Sequence, residues 1–415
     1  MSGQKKGNSF MNTSTLAERR WLLKALASAG AALPLATLSF AAYSKNATSD
    51  KRLVMVVLRG GMDGLYAVPA VGDADFAAAR GSLAQYAQPV LPLDSTFALH
   101  PNLSQLHAMF QRGELAVVHA AGLAYRERSH FDAQQVLESG SNRPYELDTG
   151  WLGRALVAQR GKGLALSTTV PLLLRGGSAI DTWAPSNLPD PSVDLVNRMA
   201  RMYGTDPALA AALSRARALH FDGSLGAATG TDTSMGMGAT NRGNNFTVLA
   251  ARAAEFLAQA DGPQAAVLEL GGWDSHANQG NPSGPIANNL RQLDSGLAAL
   301  RDGLLPSGTW QNTVVVVMTE FGREVAINGT QGTDHGTGGV AFVLGGKVHG
   351  GKVWGDWPGL AKKDRFEGRD LRITTDLRSV LKGVLSDHLR ISTRSLDAEV
   401  FPGSAALKNL ALLKA

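Results

Sequence analysis

Five short apolar runs along the chain predict strands buried inside a sheet. They are rich in β-branched side chains and run into loops that contain glycine or polar residues. Such runs are typical of strands covered on both faces of a parallel sheet. The five stretches, each a strand with some of the loop that follows it, are KRLVMVVL (51–58), ELAVVHAAG (114–122), QAAVLELGGWDSH (264–276), NTVVVVMTEFG (312–322) and GVAFVLGG (339–346).

Between these runs the apolar residues recur at helical spacing. Alternating strands and helices of this length indicate an α/β fold, with a mostly parallel central sheet and helices on both faces. The fold is expected to occupy residues 50–415, with an insertion at about 190–245 that is helical at 193–221 and rich in Gly, Ser and Thr at 223–243. The main helices are predicted at 101–112, 131–138, 245–260, 285–303 and 374–388.

The first 42 residues have the layout of a signal peptide. Arg19 and Arg20 precede an Ala-rich, moderately apolar stretch that Pro34 interrupts, and small residues near Ala42 offer a cleavage site. The paired arginines resemble the twin-arginine type, which directs export by the Tat pathway. The alternative is an N-terminal membrane anchor. We expect cleavage after residues 1–42 and a periplasmic or secreted protein.

Charge and cysteine content narrow the classes of function. The 415 residues carry a formal net charge of +5, with 40 basic and 35 acidic residues. Residues 1–42 contain five of the basic and one of the acidic residues, so the remaining chain has a net charge of only +1. Nucleic-acid binding is therefore not expected. The absence of cysteine excludes disulfides, thiolate metal sites and a cysteine nucleophile.

Chemically capable residues follow four of the predicted strands. The carboxyl ends of parallel strands share one edge of a sheet, where ligands bind. Carboxylate, imidazole and hydroxyl groups without thiolate suit a divalent metal, with Zn or Mn expected first and Mg or Ca possible. Ser129 with Asp132 also fits the start of a helix, where an anion is favoured. The residues are Arg59 and Asp63; Arg126, Arg128, Ser129, His130 and Asp132; Asp274 and His276; and Glu320, Arg323, Asp334 and His335.

These residues, in this order, resemble the alkaline phosphatase/sulfatase superfamily. The mature chain resembles more closely the DUF1501 family of exported proteins, through LRGGMDGL, LHPNL, RSHFDAQQVLESG, GGWDSH, TEFGR and TDHGTGG…FVLGG. The resemblance implies an alkaline phosphatase-like fold. It makes Asp63, Asp334 and His335 ligands of one metal, Ser129 the nucleophile, and Asp274 and His276 ligands of a second metal. His349, His388 or His130 would complete that second site.

Two functions remain open at this point. The first is an exported, metal-dependent hydrolase of phosphate or sulfate esters, in which Ser129 attacks and arginines hold the oxyanion. Its substrate would be a small anionic ester, and the candidate oxyanion clamps are Arg59, Arg126, Arg128 and Arg323. The second is a non-catalytic exported binding or assembly protein that retains the fold, with another exported protein as its partner. In both, the Tat translocase is a partner during export.

Overall fold

The apolar runs of the sequence form the strands of the sheet. The structure is a computed structural model that describes residues 50–177, 179–185, 191–221 and 246–414. Thr48–Ala415 is one compact unit. The strands found in the described part are β1 Arg52–Leu58, β2 Leu91–Pro92, β3 Ala98–Leu99, β4 Leu115–Gly122, β5 Gly163–Ala165, β6 Ile180–Thr182, β7 Ala265–Leu270, β8 Thr313–Thr319, β9 Gly339–Gly345, β10 Lys352–Trp354 and β11 Thr375–Asp376.

Nine of these strands form one sheet in the order β10-β4-β9-β8-β1-β7-β5-β6, with β11 also paired to β4. β2 and β3 form a separate antiparallel pair. Within the large sheet every pairing is parallel except the two made by β9. The predicted α/β class with a mostly parallel sheet is therefore confirmed. The fifth apolar run differs from the parallel pattern, because β9 runs against both of its neighbours.

The direction of β9 determines at which edge of the sheet the preceding loop lies. β8 ends at Thr319 on the carboxyl edge of the sheet, and the reversed β9 begins at Gly339 on that same edge. The whole connection, residues 320–338, therefore stays at the edge where the loops after β1, β4 and β7 emerge. A parallel β9 would have required a crossover to the opposite edge. This reversal brings Asp334 and His335 towards the other candidate residues.

Helices cover both faces of the sheet, as the sequence predicts. Alternate residues of β1 enter two separate hydrophobic clusters, Val54 and Val56 on one face and Leu53 and Met55 on the other. The α-helices found in the described residues are α1 Gly64–Ala67, α2 Phe76–Arg80, α3 Ser104–Gln111, α4 His130–Ser139, α5 Trp151–Gln159, α6 Val193–Tyr203, α7 Pro207–Phe221, α8 Phe246–Ala258, α9 Pro285–Leu304, α10 Leu377–Leu389 and α11 Thr393–Ser395.

The predicted helices are present close to their expected bounds as α3, α4, α8, α9 and α10. Side chains of α3, α8 and α9 enter the first cluster, and those of α4, α5 and α10 enter the second. The helical part of the predicted insertion corresponds to α6 and α7. Its Gly-rich part and the predicted signal peptide lie outside the described residues. Among the helices of the described segments, none is long and apolar enough to cross a membrane.

Candidate metal centre

Three side chains, from the start of α4 and from the loops after β7 and β8, converge at the carboxyl edge of the sheet. His130, Asp274 and His335 each offer a ligand atom, and these atoms lie within 4.8 Å of one another. The two Nε2 atoms of His130 and His335 are 3.1 Å apart. The Asp274 carboxylate lies 3.1 Å from His335 Nε2 and 3.4 Å from His130 Nε2. Among the described residues this is the one group of three or more acidic, His or Cys residues with metal-site spacing.

A third imidazole adjoins this group. His276 Nε2 lies 2.9 Å from Asp274 Oδ1 and 3.1 Å from His335 Nε2. Asp274 and His276 are separated by one residue, and alternate residues of an extended segment project to the same side. The short Asp-x-His spacing therefore allows both side chains to face the same point.

Each of the three imidazoles uses its other ring nitrogen in a contact with an acceptor. His130 Nδ1 donates to Glu320 Oε1 at 2.7 Å, and His276 Nδ1 lies 3.1 Å from Asp334 Oδ1. His335 Nδ1 lies 3.1 Å from the main-chain oxygen of Arg128. Contacts of this kind fix the orientation of a metal-binding histidine and leave Nε2 free to coordinate.

The arrangement fits a divalent cation. With each Nδ1 facing an acceptor, the three Nε2 atoms are turned towards one another, and a cation placed between them would accept their lone pairs. Ligands placed tetrahedrally around zinc at about 2.0–2.1 Å are about 3.3–3.4 Å apart. The separations of 3.1 and 3.4 Å among His130, His335 and Asp274 agree with this spacing. The donor set, rich in imidazole with one carboxylate, is that of zinc sites.

The local charges favour a cation as well. Burial is the largest single influence on the pKa of Asp274 and would raise it, but the hydrogen bond and charge of Arg323, together with His335 and His130, outweigh burial and lower that pKa to about 2. Burial also acts to raise the pKa of Glu320, but several hydrogen bonds, the strongest of them from His130, together outweigh burial, so that the net shift is downward. The pKa of His335 is lowered, chiefly by burial. Near neutral pH the centre therefore combines ionised carboxylates with a neutral His335.

Arg323 joins two of the loops that carry the cluster, those after β7 and β8, to the loop after β1. Its side chain is only 2% exposed. Its guanidinium donates to loops that follow β1, β7 and β8, so one side chain fixes three loops against each other. The acceptors are the main-chain oxygens of Gly61 at 2.7 Å, Gly60 at 2.8 Å, Thr333 at 3.0 Å and Trp273 at 3.2 Å, and Asp274 Oδ1 at 2.5 Å.

Two glycines permit this close packing. Gly60 has a φ of +119°, and a Cβ there would lie 2.6 Å from the Asp274 nitrogen. Gly336, directly after His335, would place a Cβ 2.4 Å from the Arg323 carbonyl carbon. Larger residues would push apart the loops that present the ligands.

Asp63, a predicted metal ligand, is engaged by other groups in the structure. Its Oδ1 accepts from the main-chain nitrogens of Leu65 and Tyr66, which makes Asp63 the N-cap of α1. Its Oδ2 pairs with the buried Arg80 and accepts from Gln279 Nε2 at 2.6 Å. Asp63 lies outside the group of three that the structure brings together.

Asp334, expected to bind that metal together with Asp63 and His335, lies outside the group of three and contacts one of its neighbours. Its Oδ1 lies 3.1 Å from His276 Nδ1 and accepts from Asn328 Nδ2 at 3.3 Å. The hydrogen bond from His276 is the main reason that the pKa of Asp334 is lowered. Asp334 therefore orients His276, while its neighbour His335 reaches the centre.

Two predicted oxyanion clamps are occupied by carboxylates. Arg59 contacts Glu138 at 2.7 Å and Glu269 at 2.6 Å. The guanidinium of Arg128 contacts Asp370 at 2.8 Å and Glu367 at 2.5 Å. These ion pairs do not match the predicted clamp role. It is the carbonyl of Arg128, at a φ of +58°, that contacts the centre through His335.

The remaining candidates are Ser129, His388 and His349. Ser129 is the N-cap residue of α4, directly before His130, yet its hydroxyl makes no capping hydrogen bond, contrary to the capping-box reading. His388 is buried, with Nε2 2.9 Å from the Arg52 carbonyl oxygen. His349 is exposed and packs against Trp354. Neither His349 nor His388 belongs to the group of three.

Glu320 and Arg323 contact candidate ligands in ways that the sequence did not reveal. The sequence indicates only that both are polar residues after a strand and that Arg323 is a candidate oxyanion clamp. Glu320 is 1% exposed and accepts from His130, from the Gly60 nitrogen at 2.8 Å and from Gln134 at 3.2 Å. The stretch TEFGR, which contains both residues, was the sequence feature that could have indicated these roles.

Comparison with known sequences identifies the family. The profile described as "Protein of unknown function (DUF1501)" matches residues 50–399. The chain belongs to the DUF1501 family. This confirms the resemblance seen in the sequence. No curated protein sequence matches it.

Several solved structures are similar to this DUF1501 chain in outline. The lipoteichoic acid synthase LtaP from Listeria monocytogenes is 12% identical, with 87% of this chain and 76% of that chain covered and a TM-score of 0.41. A protein in the alkaline phosphatase superfamily from Vibrio parahaemolyticus is 12% identical, with coverages of 73% and 62% and a TM-score of 0.37. BT1596, a 2-O GAG sulfatase, is 12% identical, with coverages of 87% and 73% and a TM-score of 0.36. Similarity at this level carries no inference about activity.

Proposed function

We propose that this DUF1501 protein is an exported, metal-dependent hydrolase of phosphate or sulfate esters. The observation that carries the proposal is the group of Nε2 atoms and one carboxylate that face a common point, with every Nδ1 engaged elsewhere. His130, Asp274 and His335 would hold the metal, with His276 beside them. The paired arginines Arg19 and Arg20 support export.

The centre is open enough to act on a substrate. The side chains of Asp274 and His276 are 43% and 46% exposed, whereas structural metal sites are usually closed. When bound, the metal would act as a Lewis acid that polarises an ester oxygen and neutralises developing negative charge. Three imidazoles among four candidate donors favour Zn over Mn, Mg or Ca.

Ser129 is the proposed nucleophile. It is the neighbour of His130 in sequence, at the start of α4, where main-chain N–H groups and the helix dipole favour an anion. Its hydroxyl makes no hydrogen bond that caps the helix. Attack by its oxygen on phosphorus or sulfur would form a covalent ester and release the alcohol, and water would then release the oxyanion.

A second candidate function is a non-catalytic metal-binding protein that works through an exported partner. One observation favours it: Arg59 and Arg128, which would clamp an oxyanion, already pair with four carboxylates. A transition state with developing negative charge gains little from arginines that are neutralised in this way.

Elemental analysis combined with an ester panel tests the proposal. Wild type should contain close to one equivalent of metal, His335→Ala should lose it, and His349→Ala, an exposed histidine outside the cluster, should retain it. The loaded protein should hydrolyse one of three nitrophenyl substrates, a phosphomonoester, a phosphodiester or a sulfate ester. Metal without hydrolysis would favour the non-catalytic function, and folded wild type that takes up no metal would overturn both.

A further inference from the structure

A second concave surface lies beside the free edge of the sheet. β10 and β11 pair with successive parts of β4, at Ala116–Val118 and Ala121–Gly122. The groove beside them has a volume of about 840 Å³ and is also lined by the chain near the carboxyl terminus. None of the candidate metal ligands lines it. Its size is that of a site for a small organic molecule rather than for a bare ion.

Arg126 lines this groove and lacks a partner. Its guanidinium makes no hydrogen bond or ion pair with any residue in the described segments, and its Nη1 is buried without an acceptor. Its one close aromatic contact is with Phe366, whose ring centre lies 5.8 Å from the guanidinium carbon. Charged groups that are partly buried are ordinarily paired, because the loss of water is otherwise uncompensated. Burial accordingly lowers the pKa of Arg126.

Other lining residues complement an anion. Trp354 also lines the groove, and its indole N–H is buried without an acceptor. Lys352 and Lys408 contribute two further positive charges. Two carboxylates also line the groove: Asp376, which pairs with Arg378 at 2.9 Å and whose charge raises the pKa of Arg126 against the larger effect of burial, and Asp356.

The groove also has an apolar wall. Leu123, Ile373, Leu407 and Leu410 line it together with the charged residues. A ligand that fills the groove therefore needs an apolar body as well as acceptor oxygens. The guanidinium fork suits a carboxylate or a tetrahedral oxyanion equally well.

We propose that this groove binds a small organic anion, with its carboxylate, phosphate or sulfate group against Arg126 and its apolar part against Leu123 and Ile373. This site is separate from the metal centre and does not depend on the hydrolase activity. Arg126 was considered in the sequence as an oxyanion clamp for catalysis, whereas the structure places it in this second groove.

Calorimetric titration of the full-length protein tests the proposal. The probes are naphthalene-2-sulfonate, naphthalene-2-carboxylate and 2-naphthyl phosphate, with uncharged 2-naphthalenemethanol as the control ligand, all in low salt with a chelator present. At least one anion should bind, and at least about 10-fold more tightly than the alcohol. The order of the three anions identifies the preferred oxyanion.

Three variants locate the binding. Arg126→Gln should weaken it at least about 10-fold, Arg126→Lys should restore part of the loss, and Arg372→Gln, an exposed arginine outside the groove, should change nothing. Because Arg126 is unpaired, Arg126→Gln should unfold at the same urea concentration as wild type, or higher. Equal binding by wild type and Arg126→Gln, or binding abolished by His335→Ala, would overturn the proposal.

Discussion

Replacement of Arg323 by lysine tests whether one side chain holds the metal centre together. Arg323 makes five hydrogen bonds, four to main-chain carbonyls and one to Asp274. Lysine keeps the charge but offers only three donors from a single atom. At least two of the five bonds must therefore be lost, and the bonds to Gly61, Thr333 and Trp273 are buried.

The size of the effect follows from this count. A hydrogen bond to a charged group contributes about 1.5–3 kcal/mol, so the loss of two bonds should destabilise the protein by about 3–6 kcal/mol. Arg372→Lys is the matched control. Arg372 is exposed and donates to two main-chain oxygens, of Asp364 at 3.0 Å and Arg365 at 3.3 Å. Its replacement should change the stability by about 0.5 kcal/mol or less.

The assay is urea unfolding followed by circular dichroism, with a chelator present so that metal binding does not contribute to the stability. Competition with a chromophoric chelator then measures metal affinity, which should fall about 10–100-fold because Asp274 loses the group that orients it. A loss of less than about 1 kcal/mol in Arg323→Lys, or metal affinity equal to that of wild type, would refute the assigned role of Arg323.

Three further predictions concern single side chains. Glu320→Gln should weaken metal binding about 10–100-fold in the same competition assay, because His130 loses its carboxylate partner; an unchanged affinity would contradict that role. Ser129→Ala should retain the metal while turnover of the best ester falls by at least about 10²-fold, and undiminished turnover would exclude it as the nucleophile. Burial lowers the pKa of His119 from 6.5 to about 4, so the unfolded state takes up its proton first on acidification. The contribution of His119 alone to stability should fall by up to about 1.4 kcal/mol per pH unit between these values, and His119→Gln should show a slope shallower by that amount in urea titrations.

The fold could be predicted because the apolar patterns that indicate it lie within single strands and helices. A strand buried on both faces is apolar at nearly every position, as the fully buried β1, β4, β8 and β9 are. The reversal of β9 was not readable, because its sequence resembles that of a parallel strand and its direction depends on where the preceding loop runs. That loop is held by Arg323 bonds to chain segments that lie far away in sequence.

The site was predictable in its location but only partly in its roles. Reasoning from strand ends predicts that His130, Asp274, His276 and His335 meet at one edge of the sheet, and their side chains lie close together in the structure. The role of Asp63 depends on Arg80, a residue 17 positions later that no periodic pattern connects to it. Which of two adjacent residues reaches the centre, Asp334 or His335, depends on the backbone path of a glycine-rich loop, and the sequence does not specify that path.

The pairing of Asp63 with Arg80 bears on the number of metal ions that we expect the protein to bind. A two-metal site built as the resemblance implied would need Asp63, and Asp63 would have to leave the buried Arg80. Separation of a buried ion pair leaves an uncompensated charge and costs about 3–5 kcal/mol. The wild type should therefore bind one equivalent of metal with high affinity, measured by titration of chelator-treated protein. Asp63→Asn should lower the stability and leave that stoichiometry at one, whereas two tight equivalents in the wild type, reduced to one by Asp63→Asn, would show that Asp63 exchanges Arg80 for a second metal.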